Sequence, residues 1–130
     1  MREAALDLLA PRADVWAFLA EPYHLSDWWP GITGVVPDRR GFAPGARWKV
    51  HATKRNVFTG RRSVETMLLV REIDPYERWT WHLLDPATDV AVRLQSVAED
   101  RTRVTVGASR GDPSVAVKRL YDLVQTAAAL

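Results

Sequence analysis

The sequence predicts an α+β protein: one strand, two short helices, about six antiparallel strands and a long C-terminal helix. Three observations carry this expectation. From Gly31 onward, stretches rich in Val, Thr and Trp alternate in polarity and are separated by short turn signals. Connections that short join antiparallel neighbours. The last segment, "GDPSVAVKRLYDLVQTAAAL", places apolar residues at helical spacing. Between Pro11 and Gly31 the apolar spacing is also helical and is interrupted by prolines.

Taken in order, "REAALDLLA" alternates weakly, with Leu6 and Leu8 on one parity, and reads as a strand ending at Pro11. "PRADVWAFLA" opens on a proline suited to a first helical turn, and Asp14 favours the positive end of the helix dipole. Val15, Trp16, Phe18 and Leu19 supply its apolar face, and Pro22 stops it. "HLSDWWP" reads as a second short helix, begun near Ser26 or Asp27 and closed by Pro30-Gly31. The strand-like segments that follow are "ITGVVPD", "ARWKVHAT", "RRSVETMLLVREI", "ERWTWHLL", "DVAVRLQSVAE" and "TRVTVGAS". In the final helix Asp112 is a good N-cap and Pro113 sits at the first helical position. Val117, Leu120, Tyr121, Val124 and Ala128 form one apolar stripe.

The chain of 130 residues fits a single domain over 1–130, and at 47% hydrophobic and 26% charged it has enough apolar mass for a real core. It has no cysteine, which excludes disulfides, thiolate metal sites and cysteine nucleophiles and fits a cytoplasmic location. No stretch approaches the about 18 apolar residues of a membrane span, and the first residues do not read as a signal peptide. A net charge of +2, with the basic pairs Arg39-Arg40 and Arg61-Arg62, lacks the density of a nucleic-acid surface. The three histidines, His24, His51 and His82, have no metal-ligand spacing, so neither metal nor cofactor is expected.

Strand parity places side chains on faces. If "DPAT" is a four-residue hairpin loop, Leu84 faces Asp89, Leu83 faces Val90, Trp81 faces Val92 and Trp79 faces Leu94. That parity is wholly apolar, whereas Thr80, His82 and Arg93 belong to the wet one. Trp48 and Val50 oppose Lys49 and His51, and Val104, Val106 and Ala108 oppose Arg103 and Thr105. Trp48, Trp79 and Trp81 thus share a face with Val92 and Leu94, covered in part by the C-terminal helix. Spacing alone leaves two outcomes open: a filled core or a concavity.

Several of these residues also carry a resemblance. The stretch "APRADVWAFLAEPYHLSDWWPGITGV", then "GFAPGARWKV", "REIDPYERWTWHL" and the C-terminal helix resemble the START-like SRPBCC superfamily, in particular its polyketide cyclase/dehydrase-like branch. The match runs through Ala10, Pro11, Val15, Trp16, Leu19, Trp29, Pro30, Gly31, Ile32 and Val35, with Glu21 where Asp is commoner. It spans essentially the whole chain. It implies a helix-grip fold, in which a curved antiparallel sheet of six to seven strands wraps around the long C-terminal helix and leaves a hydrophobic cavity between them. Members bind lipids, polyketides, sterols or other apolar molecules, and some catalyse aromatic cyclisation or dehydration.

On that basis the expected function is binding of a small hydrophobic or aromatic ligand by a monomer or homodimer, with no nucleic-acid partner. A cyclase/dehydratase in the same cavity and a co-chaperone-like interaction module are the alternatives. The expected floor is Trp48, Val50, Trp79, Trp81, Val92 and Leu94, faced by Val117, Tyr121 and Val124 from the helix. Met67 and Leu69, or on the other parity Leu68 and Val70, complete the wall. The resemblance makes Trp29 structural, which leaves Trp28 as the ring for the cavity rim, while Trp16 is core. Were catalysis present, Glu65, Arg62, Tyr121, His51 or Arg93 would have to supply a proton or a donor to the cavity. A Glu65 buried among apolar groups would have a raised pKa; an exposed strand carboxylate would not.

Overall fold

A computed structural model describes residues 1–56, 58 and 60–129, with side chains described up to residue 53, at 58 and from 60 to 125. The chain runs β1 (Arg2–Leu8), α1 (Arg12–Leu19), a 3-10 turn (Pro22–His24), α2 (Leu25–Trp28), β2 (Ile32–Val36), β3 (Arg47–Asn56), β4 (Gly60–Asp74), β5 (Arg78–Leu83), β6 (Thr88–Ala98), β7 (Arg101–Ala108) and α3 (Pro113–Ala129). The strands form one seven-stranded antiparallel sheet in the order β1-β7-β6-β5-β4-β3-β2. The elements are therefore those expected, in the expected order.

Local chemistry explains the boundaries. Pro11 precedes the first turn of α1, and Asp14 lies within that turn. Pro22 opens the 3-10 turn, where the Glu21 carboxylate accepts from the Tyr23 N–H. Gly31 turns the chain from α2 into β2 at φ +89°, a conformation that favours glycine. At α3 the Asp112 carboxylate accepts from the Ser114 amide (3.0 Å) and hydroxyl. Those bonds, the hydroxyl's foremost, hold the Asp112 carboxyl below its ordinary range. The stripe residues Val117, Leu120 and Val124 are buried and Tyr121 is half-buried; the side chain of Ala128 lies outside the described residues.

The inward face of the sheet carries Trp48, Val50 and Ala52 from β3, Leu68 and Val70 from β4, Trp79, Trp81 and Leu83 from β5, Val90, Val92 and Leu94 from β6, and Val104, Val106 and Ala108 from β7, all buried. Helix α3 covers β1 and β7 and touches α2, while α1 packs on β6 and β7. Deep under α1, the Thr102 hydroxyl donates to the Ala10 carbonyl at 2.8 Å and ties β7 to the end of β1.

Two expectations need correction. The β5–β6 loop is Leu84–Ala87, not Asp85–Thr88, so Leu83 pairs with Thr88, Trp81 with Val90 and Trp79 with Val92. Thr88 joins the strand because its hydroxyl caps the turn on the Pro86 carbonyl (2.7 Å), while the Leu84 N–H is drawn to the Met67 carbonyl (2.9 Å). The slip is two residues, an even number, so every inward side chain kept its face. In β4, Leu68 and Val70 face the core; Met67 and Leu69 take the opposite parity and are only half-buried.

Candidate functional site

Between the inward sheet face and the helices lies a cluster of buried indoles. Trp28, Trp48 and Trp79 are fully buried, Trp81 nearly so, and Trp29 and Trp16 are 5% and 8% exposed. Four of them make a closed circuit of ring contacts: Trp28 to Trp29 at 6.0 Å, Trp29 to Trp81 at 5.2 Å, Trp81 to Trp79 at 6.2 Å and Trp79 back to Trp28 at 6.2 Å. Three of those contacts are edge-to-face, the geometry that ring quadrupoles prefer. Trp48 joins through Trp79 at 5.9 Å. Phe42, from the β2–β3 loop, sits edge-on to Trp79 (4.9 Å) and to Trp16 (5.6 Å), closing that end of the cluster.

Aspartate 38 organises that loop. Its carboxylate accepts from the backbone N–H groups of Arg47 (3.0 Å), Arg40 (3.0 Å) and Gly41 (3.2 Å). These bonds, the one from Arg47 foremost, hold the Asp38 carboxyl below its ordinary range. The Gly41 carbonyl in turn accepts from the Trp48 indole at 2.7 Å. One exposed carboxylate thus fixes the loop that carries Phe42 onto the indoles.

Burying an indole is worth roughly 4–6 kcal/mol as an upper bound. An indole N–H buried without an acceptor costs about 1–3 kcal/mol. Apolar burial wins, yet the cost is present three times: the Nε1 atoms of Trp28, Trp79 and Trp81 have no hydrogen-bond partner among the described residues. A phenylalanine would keep most of the ring area without the orphaned donor.

At the end of the sheet away from Phe42 lies a partly open cavity of about 90 Å³. Its apolar wall is Trp29, Pro30 and Ile32 after α2, Ala52 on β3 and Leu83 on β5. Thr88, Arg110 and Asp112 lie at its polar side. Its shape follows from the sequence: inward residues of β3 shrink from Trp48 through Val50 to Ala52, so the core thins toward this end. Two turns frame it. The Gly31 carbonyl accepts from the Thr53 N–H at 2.7 Å, fixing the α2–β2 turn over the end of β3. Gly111, at φ +85°, brings the turn before α3 against Trp29, where an added Cβ would stand 3.9 Å from Cζ2.

The expected site residues fall into two groups. Trp48, Val50, Trp79, Trp81, Val92, Leu94, Val117 and Val124 come together, but as close-packed core beneath the cavity rather than as its surface. Trp28 lies in the same core, so the tryptophan pair exchanges the roles expected of it: Trp28 is interior and Trp29 lines the cavity. Met67 and Leu69 lie on the opposite parity, as noted above. None of the catalytic candidates reaches the interior in buried form. Glu65 is exposed and pairs with Lys49 at 3.8 Å, across the outer face. Arg62 and Arg93 are exposed, the latter 3.8 Å from Glu3. His51 is half-buried beside Gly34, and the Tyr121 ring lies under the Lys118 ammonium at 5.3 Å. Apart from the indoles, the buried polar side chains among the described residues are Thr88 and Thr102. No group of three or more His, Asp or Glu among those residues is placed to hold a metal, and no helix is long and apolar enough to cross a membrane.

Comparison with known proteins agrees with this architecture. Solved structures superpose along nearly the whole chain. A Nitrosomonas europaea protein is 19% identical with a TM-score of 0.69, covering 98% of this chain and 97% of its own. The di-domain ARO/CYC StfQ of the steffimycin biosynthetic pathway is 14% identical at 0.70, covering 99% of this chain and 46% of that one. Norcoclaurine synthase of Thalictrum flavum, a point mutant in complex with a transition state analogue, is 13% identical at 0.67, covering 98% and 94%. At such identities the likeness is one of fold. No curated protein matches in sequence. A family model, "Activator of Hsp90 ATPase homolog 1-like protein", matches residues 9–124. Sheet, gripped helix and sequence together make this chain a START-like SRPBCC protein with the helix-grip fold, and it belongs to the Activator of Hsp90 ATPase homolog 1-like family.

Proposed function

We propose that this protein binds a small, flat, apolar molecule, about one aromatic ring in size, in the cavity beside Trp29. The observation that carries the reading is the cavity itself: an apolar wall of Trp29, Ile32, Ala52 and Leu83, framed by two glycine turns and bordered by polar groups. Apolar walls with a few polar groups are the usual composition of small-molecule sites. Size sets the ligand class. A dry cavity of about 150 Å³ holds benzene, and sites for drug-sized ligands run to about 300–1,000 Å³. At about 90 Å³ and partly open, this one suits a single ring seated with one end in solvent, not a whole lipid or polyketide.

Binding is favoured over acid–base catalysis because the candidates Glu65, Arg62 and Arg93 stand in water, and neither they nor the half-buried His51 and Tyr121 line the cavity. The family description names a chaperone activator, and such a role would need a contiguous exposed apolar surface. The exposed large apolar side chains among the described residues, Met1, Leu9, Tyr23, Val36, Phe58, Tyr76, Leu84, Val97 and Val115, are spread over different elements and turns.

The test fills the cavity. α-Methylstyrene, one ring with a short unsaturated arm, is titrated while intrinsic tryptophan fluorescence is followed. The wild type is expected to bind and quench, and Ala52→Leu to bind at least tenfold more weakly. Unchanged binding in Ala52→Leu contradicts the assigned site, and no binding to the wild type contradicts the function.

A further inference from the structure

We propose that the ligand of this cavity is an aromatic monocarboxylate, its ring on the apolar wall and its carboxylate on the guanidinium of Arg110. The proposal rests on reading the cavity beside Trp29 as a ligand site, and it names the charge that the ring carries at the open end.

Three observations support it. The charged side chains that line the cavity are Arg110 and Asp112, at its polar side. The turn that carries them also lines an open groove that reaches Arg2, so cavity and groove together present two arginines and one aspartate, an excess of positive charge. Within that set it is Asp112 that is already engaged. Its carboxylate caps α3 by accepting from the Ser114 amide and hydroxyl, and those bonds, together with the charge of Arg2, hold its carboxyl below the ordinary range. Arg110 is exposed, and its guanidinium makes no hydrogen bond or ion pair among the described residues.

Chemistry then selects the second half of the ligand. The planar fork of guanidinium donors matches a carboxylate with two parallel hydrogen bonds. Because the cavity is partly open, a carboxylate at its mouth keeps part of its hydration while the ring leaves water. A single negative charge also fits the rim. A phosphomonoester brings nearly two, and would set the second against the Asp112 carboxylate. A cationic end would be repelled by both arginines.

The experiment is a set of calorimetric titrations on the full chain with phenylacetate, its neutral amide phenylacetamide, and α-methylstyrene. Phenylacetate and phenylacetamide share a shape and differ in charge. Phenylacetate is expected to displace α-methylstyrene and to bind about fivefold tighter than phenylacetamide at low salt, the upper range for an exposed ion pair. That preference should shrink in about 1 M salt. Arg110→Gln, a change at an exposed position, should bring phenylacetate down to the affinity of phenylacetamide. Phenyl phosphate is expected to bind more weakly than phenylacetate. Equal affinities for phenylacetate and phenylacetamide, with α-methylstyrene still bound, overturn the carboxylate proposal and leave the cavity reading standing. A preference that survives in Arg110→Gln does the same. Failure of all three ligands to bind overturns both, and tighter binding of phenyl phosphate overturns the single charge.

Discussion

The indole of Trp29 stands edge-on to that of Trp81, ring centroids 5.2 Å apart and planes at 83°. On one side of this contact is the filled core; on the other is the cavity. Removing the ring extends the cavity toward the core. Trp29→Ala is expected to lose about 3–5 kcal/mol of stability in chemical denaturation. It should also gain room for free indole, so that added indole raises the Tm of the variant by more than that of the wild type.

The opposite substitution closes the cavity. Ala52 is buried and faces open space, so a larger apolar side chain there fills a void instead of straining a packed one. Thermal melts of Ala52→Leu should fall within about 1 kcal/mol of wild type, on the stabilising side. A loss of about 1–3 kcal/mol, the range for overpacking, would mean that no such space exists.

The loop that carries Phe42 is expected to respond to acid. Asp38 titrates below its ordinary value of 3.8 in the folded chain because three backbone N–H groups bind the ionised form. A depressed folded pKa gives stability that is present above the ordinary pKa and is lost as pH falls through the folded value. Hydrogen exchange at the Trp48 indole, bonded to Gly41 in that loop, should therefore accelerate below about pH 4. In Asp38→Asn it should be fast already at neutral pH.

Parity in β4 offers a direct comparison. Leu68 is fully buried and Met67, its chain neighbour, half-buried on the other face. Leu68→Ala is expected to cost about 2–5 kcal/mol and Met67→Ala about 0.5–1 kcal/mol in urea unfolding. Thr102→Val should cost about 1–3 kcal/mol, because it removes the hydroxyl bonded to the buried Ala10 carbonyl.

Much of this molecule was legible in its residues, for identifiable reasons. Alternation in β5, β6 and β7 named the inward faces, and a hairpin register wrong by two residues did no damage because an even slip preserves parity. In β4 the run Met67-Leu68-Leu69-Val70 is apolar on both parities, so alternation carries no information there, and the buried set is decided by which neighbours β3 and β5 present. The tryptophan pair misled because both members are large and apolar; which one ends α2 and which one meets the cavity depends on where the Gly31 and Gly111 turns place the chain. The cavity did leave a trace, the taper from Trp48 through Val50 to Ala52 along one inward parity. Reading it required knowing that Gly31 and Gly111, distant in sequence, close over the same end of the sheet.

A crystal structure of the full chain grown with α-methylstyrene tests the central claim most directly. The expected result is one ligand between Trp29, Ala52 and Gly111, its ring against Trp29. Continuous solvent in that cavity, with α-methylstyrene bound elsewhere or nowhere, would contradict it.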